Sequence, residues 1–348
     1  MLRYLTAGES HGPALVGIMD GFPAGVPIDE NYIAASLARR RTAPGRSPRQ
    51  TQEKDLIHIT GGLHRNMTTG APVAVILENA SRLSVLDPAS VPRPGHADLA
   101  GMLKYGISAA AIIRERASAR ETAVRTALGA FCVRLLELLD VKITGRVINL
   151  GGIENGTYEA MARELERARK AGRSIGGVFE ITADNLPVGL GSHAQWDRRL
   201  SSKLAAQLMG LNGIKGLEFG AGFGLAAMKG EKALDLFKKN SPLKRLSNLA
   251  GGLEGGMTNG MPLVVRAAVR PVPGQGFPVR SIDLRTGGTA DSEPARSDTT
   301  AVFAAAVIAE HIMAFELADA VLEKFGGDSL KEIQSRIKAW RKQTAKLL

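Results

Sequence analysis

The sequence predicts an α+β fold in which antiparallel sheets pack around long central helices. Three observations carry that expectation. Short runs rich in β-branched residues recur between glycine pairs, two long stretches of apolar helical pattern follow capping residues, and no continuous strand–helix–strand alternation is visible. A chain of 348 residues, 44% of them hydrophobic, can bury a substantial core. It reads as one domain over 1–348, with a peripheral C-terminal helix at about 329–348.

In chain order, the first strand-like run is 15–19, directly after Gly8-Glu9-Ser10-His11-Gly12-Pro13. Val73-Ala74-Val75-Ile76-Leu77 is a second strand. Ser118-Ala119-Arg120-Glu121 has the form of a capping box, the serine at the N-cap and the glutamate three residues on, and opens an apolar helix to about residue 139. Residues 141–150, 177–183 and 262–268 read as strands, and 158–171 and 196–211 as amphipathic helices. Asp298 or Thr299 caps a second long helix running to about residue 325. That helix is Ala-rich and apolar nearly all round, which places it in the middle of the fold. Ser329-Leu330-Lys331-Glu332 is another capping box, and Leu330, Ile333, Ile337 and Trp340 form one stripe of the helix it opens. Each long helix is preceded by an arginine two residues before its capping Ser or Asp, Arg116 before Ser118 and Arg296 before Asp298. This similarity raises an internal duplication, although the chain shows no short repeat and no low-complexity segment.

Composition removes several function classes. The single Cys132 excludes an intrachain disulfide and fits a reducing compartment such as the cytoplasm. The first residues lack the apolar run of a signal peptide. Within the most hydrophobic stretch, 299–322, Glu310, His311, Glu316 and Asp319 would all have to enter a bilayer, so a core helix is expected and no membrane partner. A net charge of +11 attracts anions. A basic nucleic-acid-binding protein is therefore the competing reading, but only 5% of residues are aromatic and the arginines sit in compact groups among Gly, Ser and His. A pocket for a phosphorylated or carboxylated metabolite suits that arrangement better. P-loop, Rossmann, HExxH and GxSxG patterns are absent.

The chemistry-bearing segments are weak singly. Gly8-Glu9-Ser10-His11-Gly12 sets a hydroxyl beside an imidazole that can act as a general acid near neutral pH, yet an isolated Ser-His turn is more often inert. Arg39, Arg40, Arg41, Arg46 and Arg49 place five guanidiniums within eleven residues, a set able to grip carboxylate and phosphate or merely a solvated basic loop. Arg93-Pro94-Gly95-His96-Ala97-Asp98 adds a second histidine in a turn. Arg114, Arg116, Arg120 and Arg125 crowd the start of the first long helix, where the positive end of the helix dipole calls for a bound counter-anion. Arg270-Pro271-Val272-Pro273-Gly274 is a stiff loop after a strand, suited to a planar or phosphorylated ligand.

Together these segments resemble the signature regions of the chorismate synthase family. Gly8-Glu9-Ser10-His11-Gly12 with Asp20-Gly21-Phe22-Pro23, Arg116-Ala117-Ser118-Ala119-Arg120-Glu121-Thr122, and Arg296-Ser297-Asp298 with Glu310 look like its three signatures. Thr69-Gly70-Ala71-Pro72 and the 93–98 run match two further ones, so the resemblance covers roughly 3–322. It implies a β-α-β sandwich and an anti 1,4-elimination of phosphate from 5-enolpyruvylshikimate 3-phosphate, with reduced FMN and no net redox change. It implies His11 and His96 as the acid–base pair and Asp298 as the group that helps a flavin nitrogen take the substrate proton. Ser10, Arg40, Arg46, Arg49 and Arg120 are the implied substrate or NADP contacts. Arg116, Ala117, Ser118, Asn212, Gly213, Gly255, Arg270, Pro271, Val272, Pro273, Gly274 and Arg296 are the implied FMN contacts. A homotetramer is the implied assembly, and NADPH or an external flavin reductase the source of electrons. Thr299, Arg270 and the Thr42-Ala43-Pro44 run depart from the commoner family pattern, but none removes a required charge.

Overall fold

A computed structural model describes residues 1–47, 55–80, 91–154, 156–239, 241–294 and 298–347. Burial alternates along its main strands; in β15 every second residue from Leu263 to Val269 is buried, the mark of a sheet with one face on a core. The first half contains β1 (Arg3–Ala7), β2 (Ala14–Asp20), α1 (Glu30–Arg41), β3 (Ile57–Gly61), β4 (Leu63–His64), β5 (Met67–Thr68) and β6 (Val73–Glu78). Helices α2 (Asp98–Tyr105), α3 (Ala110–Ala117) and the long α4 (Thr122–Glu137) follow. The second half contains β7 (Lys142–Leu150), β8 (Ile153–Glu154), α5 (Tyr158–Lys170), β9 (Gly177–Asp184), α6 (Leu200–Met209), β10 (Ile214–Phe219), β11 (Phe237–Lys238) and β12 (Ser241–Arg245). It continues through β13 (Leu253–Glu254), β14 (Met257–Thr258), β15, β16 (Val279–Ile282) and β17 (Thr289–Ser292) to α7 (Val302–Phe325) and α8 (Leu330–Leu347).

Two antiparallel sheets result, ordered β1-β2-β6-β3 and β10-β15-β9-β7-β8. Helix α4 lies on β2 and β6, α7 lies on β7 and β9, and the two helices pack on each other. Gly129 makes that last contact feasible: a Cβ there would stand 2.6 Å from His311 Cβ and 2.7 Å from its carbonyl oxygen. Leu128, Phe131 and Leu135 of α4 join Ile312, Met313 and Leu317 of α7 in one buried apolar cluster that also takes in side chains of both sheets. Each such side chain contributes about 1.5–3 kcal/mol by leaving water. Two buried carboxylates of α7 have partners: Glu310 accepts from Arg39 Nη2 at 2.9 Å and Gly145 N at 2.8 Å, and Asp319 accepts from Leu2 N at 2.8 Å. Among the described residues no helix is long and apolar enough to cross a membrane.

Local details differ from the sequence expectations. Ser118 does cap, but it accepts from Arg120 N at 3.2 Å, a 3-10 turn Ala119–Glu121 comes first, and α4 begins at Thr122. Glu121 does not close the box; its carboxylate accepts from Thr6 Oγ1 at 2.8 Å. Neither Asp298 nor Thr299 caps α7, which starts at Val302 with Thr300 Oγ1 accepting from Val302 N at 3.3 Å. Asp298 is taken by an arginine instead, a stronger partner than a backbone amide. The helix expected over 196–211 is a 3-10 turn Trp196–Arg198 followed by α6. At α8 the box closes as expected, with Ser329 N donating to Glu332 Oε2 at 3.2 Å and Glu332 N to Ser329 Oγ at 3.5 Å.

A short repeat does exist, contrary to the sequence expectation. Gly61-Gly62-Leu63 and Met67-Thr68, with Gly70 and Pro72, recur as Gly251-Gly252-Leu253 and Met257-Thr258, with Gly260 and Pro262. Each run forms a hairpin, β4–β5 or β13–β14, pinned by its threonine. Thr68 Oγ1 donates to Pro23 O at 2.7 Å and accepts from Val26 N at 2.9 Å; Thr258 Oγ1 donates to Pro187 O at 2.6 Å and accepts from Leu190 N at 2.9 Å.

Candidate active site

The loop between β1 and β2 carries Ser10 and His11 across the end of α3. His11 is gripped by Glu115: its backbone N donates to Glu115 Oε2 at 2.6 Å, and its Nδ1 lies 2.8 Å from Glu115 Oε1. Ser10 N donates to the Glu115 carbonyl at 3.1 Å, and Ser118 Oγ donates to Ser10 Oγ at 3.1 Å. From the other side Asn79 Nδ2 donates to Glu9 O at 3.0 Å and Gly12 O at 2.9 Å, closing the loop.

Beside this loop lies a group of three arginines and two carboxylates. Arg40 leaves the last turn of α1, is 4% exposed, and donates to Thr122 Oγ1 at 3.2 Å and Ala119 O at 3.3 Å. Arg120 donates to Asn79 Oδ1 at 3.1 Å and also pairs with Asp55, whose second oxygen is 3.8 Å from Arg40. Arg46 donates to Asp298 Oδ2 at 2.5 Å, and Ser47 N to Asp298 Oδ1 at 2.8 Å. Burial, then the neighbouring Arg46, push the Arg40 guanidinium down to about 9, with Asp55 and Asp298 opposing. That direction records an excess of positive charge in a desolvated place, the condition under which an anion binds tightly.

A cavity of about 380 Å³ opens next to Ser118, lined by Tyr4, Thr6, Arg116, Ala117, Arg125 and Asn212 among others. Arg116 donates to Thr6 O and Thr6 Oγ1, both at 2.8 Å. Arg125 is paired with Glu121 at 3.5 Å, yet its Nη1 is buried without a hydrogen-bond partner among the described residues. Asn212 Nδ2 donates to Ala117 O at 3.2 Å, Arg270 N donates to Gly213 O at 2.9 Å, and Arg270 Nη2 donates to Gly95 O at 2.6 Å. The last bond brings in the His96 turn. His96 Nδ1 sits 3.1 Å from Pro94 O, and burial followed by Arg93 holds the imidazole below its ordinary value, so it is neutral near pH 7. Burial raises Asp98, but hydrogen bonds from Arg93 outweigh it and keep the carboxylate ionised at the start of α2. The loop after Arg270 is braced by Ser174 Oγ, which donates to Val272 O at 2.6 Å, and Pro273 packs against Gly95.

Eight of the residues singled out from sequence thus fall on one connected path that passes through Gly95: His11, Ser10, Ser118, Ala117, Asn212, Gly213, Arg270 and His96. Gly255 lies apart, in the turn of the β13–β14 hairpin beside His193. Arg49 and Arg296 lie outside the described residues. The counter-anion expected for the arginines near α4 is supplied in part by the protein, since Arg114 pairs with Asp98 and Arg120 with Asp55. Sequence reading missed Glu115, Asp55 and Asn79. An acid between Arg114 and Arg116 was a signal for the first; nothing local marked the other two.

The chorismate synthase family model matches residues 2–322. The chain is 43% identical over 381 aligned positions to the chorismate synthase of Desulforamulus reducens, covering 98% of each. It is 45% identical over 339 positions to that of Caldanaerobacter subterraneus subsp. tengcongensis, covering 96% of each. A crystal structure of a chorismate synthase superposes with a TM-score of 0.80 at 34% identity over 97% of both chains.

Proposed function

The chain belongs to the chorismate synthase family, and from that premise we propose that it eliminates phosphate from 5-enolpyruvylshikimate 3-phosphate to give chorismate, a carbon–oxygen lyase step of the shikimate pathway and aromatic amino acid biosynthesis. One observation carries the reading to this site: the path of peptide links and hydrogen bonds from His11 to His96 runs beside both the buried arginines and the cavity. That cavity suits FMN, because its volume lies in the range of ligand pockets and the buried Arg125 Nη1 is left for an anion. Arg116, Ala117, Ser118, Asn212 and Gly213 would hold the cofactor, with Arg296 and the loop Arg270, Pro271, Val272, Pro273 and Gly274; Gly255, in the β13–β14 hairpin, stands apart from them. Bound in its reduced form, FMN would supply electron density to the carbon left poor by C–O cleavage.

The remaining work falls to side chains. Arg40, Arg46 and Arg120, with Ser10 and Arg49, bind the substrate's carboxylates and phosphate. Their charges are already oriented by Asp55 and Asp298, so they stabilise the departing phosphate without reorganising. His11 protonates that leaving group. His96, neutral at rest, takes a proton from solvent and would deliver it to the reduced flavin, and Asp298 assists removal of the substrate proton. In the same reading FMN is kept reduced with NADPH or by a separate reductase, the assembly is a homotetramer, and the compartment is the cytoplasm. The equivalent strand orders and pinned hairpins support an internal duplication within a β-α-β sandwich.

The test is phosphate release from the enolpyruvyl substrate by protein, FMN and dithionite. Release at a rate proportional to protein is expected; none under fully reducing conditions refutes the assignment.

A further inference from the structure

We propose that Glu115 is a positioning residue for the reaction, holding His11 in the ring tautomer that leaves proton exchange to Nε2. The inference rests on the functional reading above and deepens it at one side chain.

Glu115 is 8% exposed and spends both carboxylate oxygens on one residue, Oε2 on the His11 backbone N at 2.6 Å and Oε1 on Nδ1 at 2.8 Å. Its own carbonyl accepts from Ser10 N at 3.1 Å, and three residues later Ser118 Oγ donates to Ser10 Oγ at 3.1 Å. One segment of the chain therefore fixes the backbone of the Ser10-His11 pair, the ring orientation of His11 and the hydroxyl beside it. An ionised carboxylate can only accept, so the bond at Nδ1 requires the proton to sit there. Protonated or neutral, the ring then exchanges its catalytic proton at Nε2. Glu115 reaches the reacting atoms only through His11.

Glu115→Gln separates this role from a merely structural one. The carboxamide keeps the size of the side chain, and its oxygen can still accept from His11 N. Its NH₂ then faces Nδ1, which must become the acceptor, moving the ring proton to Nε2. In protein labelled with ¹⁵N-histidine, at a pH where the ring is neutral, the wild type is expected as the Nδ1–H tautomer and Glu115→Gln as Nε2–H, with His11→Ala assigning the resonance. The same variant is expected to lower kcat by at least about tenfold, part of the acid–base contribution, while KM for the enolpyruvyl phosphate stays within about twofold because the arginines are untouched. Against a His11→Ala background, adding Glu115→Gln is expected to cost nothing more. An unchanged tautomer in the variant, or a full Glu115→Gln penalty in the absence of His11, overturns the proposal. Wild-type protein that releases no phosphate refutes the reaction itself; the ring spectra still decide whether Glu115 sets the His11 tautomer.

Discussion

Glu316 on the central helix α7 offers a test of the electrostatics with a calculable size. It is 6% exposed, and burial, reinforced by the charge of Asp319 and opposed by Lys203 and Gln207, raises its carboxyl from 4.5 to about 7. In the unfolded chain the proton leaves near 4.5, so between that pH and about 7 the folded state binds more protons than the unfolded one. Stability from this group is therefore fully present at acid pH and is lost as pH rises through the folded value. At 1.36 kcal/mol per pH unit the loss amounts to about 3 kcal/mol. Glu316→Gln keeps the shape and does not titrate. Urea unfolding at pH 5 and pH 8 should show variant and wild type nearly equal at the lower pH, and the variant more stable by up to about 3 kcal/mol at the higher. A difference that is the same at both values would mean that Glu316 does not carry its proton in the fold, and the reasoning would fail.

Three further outcomes are expected. His11→Ala and His96→Ala should each slow phosphate release by about 10²–10⁴-fold, the usual worth of a general acid or base, in protein that still folds; wild-type turnover in either refutes its role. Asp55→Asn strips Arg40 and Arg120 of their shared carboxylate and should reduce stability by about 3–5 kcal/mol in urea, with millimolar phosphate restoring part of the loss. A variant as stable as the wild type would show that these two arginines do not need that charge. Gly95 has φ +73° and a Cβ there would stand 3.2 Å from Pro273. Gly95→Ala should cost about 1 kcal/mol or more and weaken FMN binding in a fluorescence titration; unchanged affinity would uncouple the His96 turn from the 270–274 loop.

The elements of this protein are largely written in local pattern. Richness in β-branched residues along 73–77, 141–150, 177–183 and 262–268 marked strands whose ends the structure moves by one residue at most, because such side chains fit a pleated, half-buried surface wherever it occurs. The apolar run after Asp298 was bound to lie in the core, since no other place absorbs so much hydrocarbon. Pairing across the fold was a different matter. Glu121 and Ser118 have the spacing of a capping box, yet Thr6, 115 residues away, takes the glutamate. Asp298 stands where a cap is expected, and Arg46, 252 residues earlier, claims it. Glu115 gives no local sign of its partner, 104 residues upstream. Strand and helix periods depend on neighbours a few residues apart, so the sequence by itself determined them. A hydrogen bond or ion pair depends on contact at about 3 Å, and only the tertiary structure, by setting two sheets around two helices, decided which side chains meet.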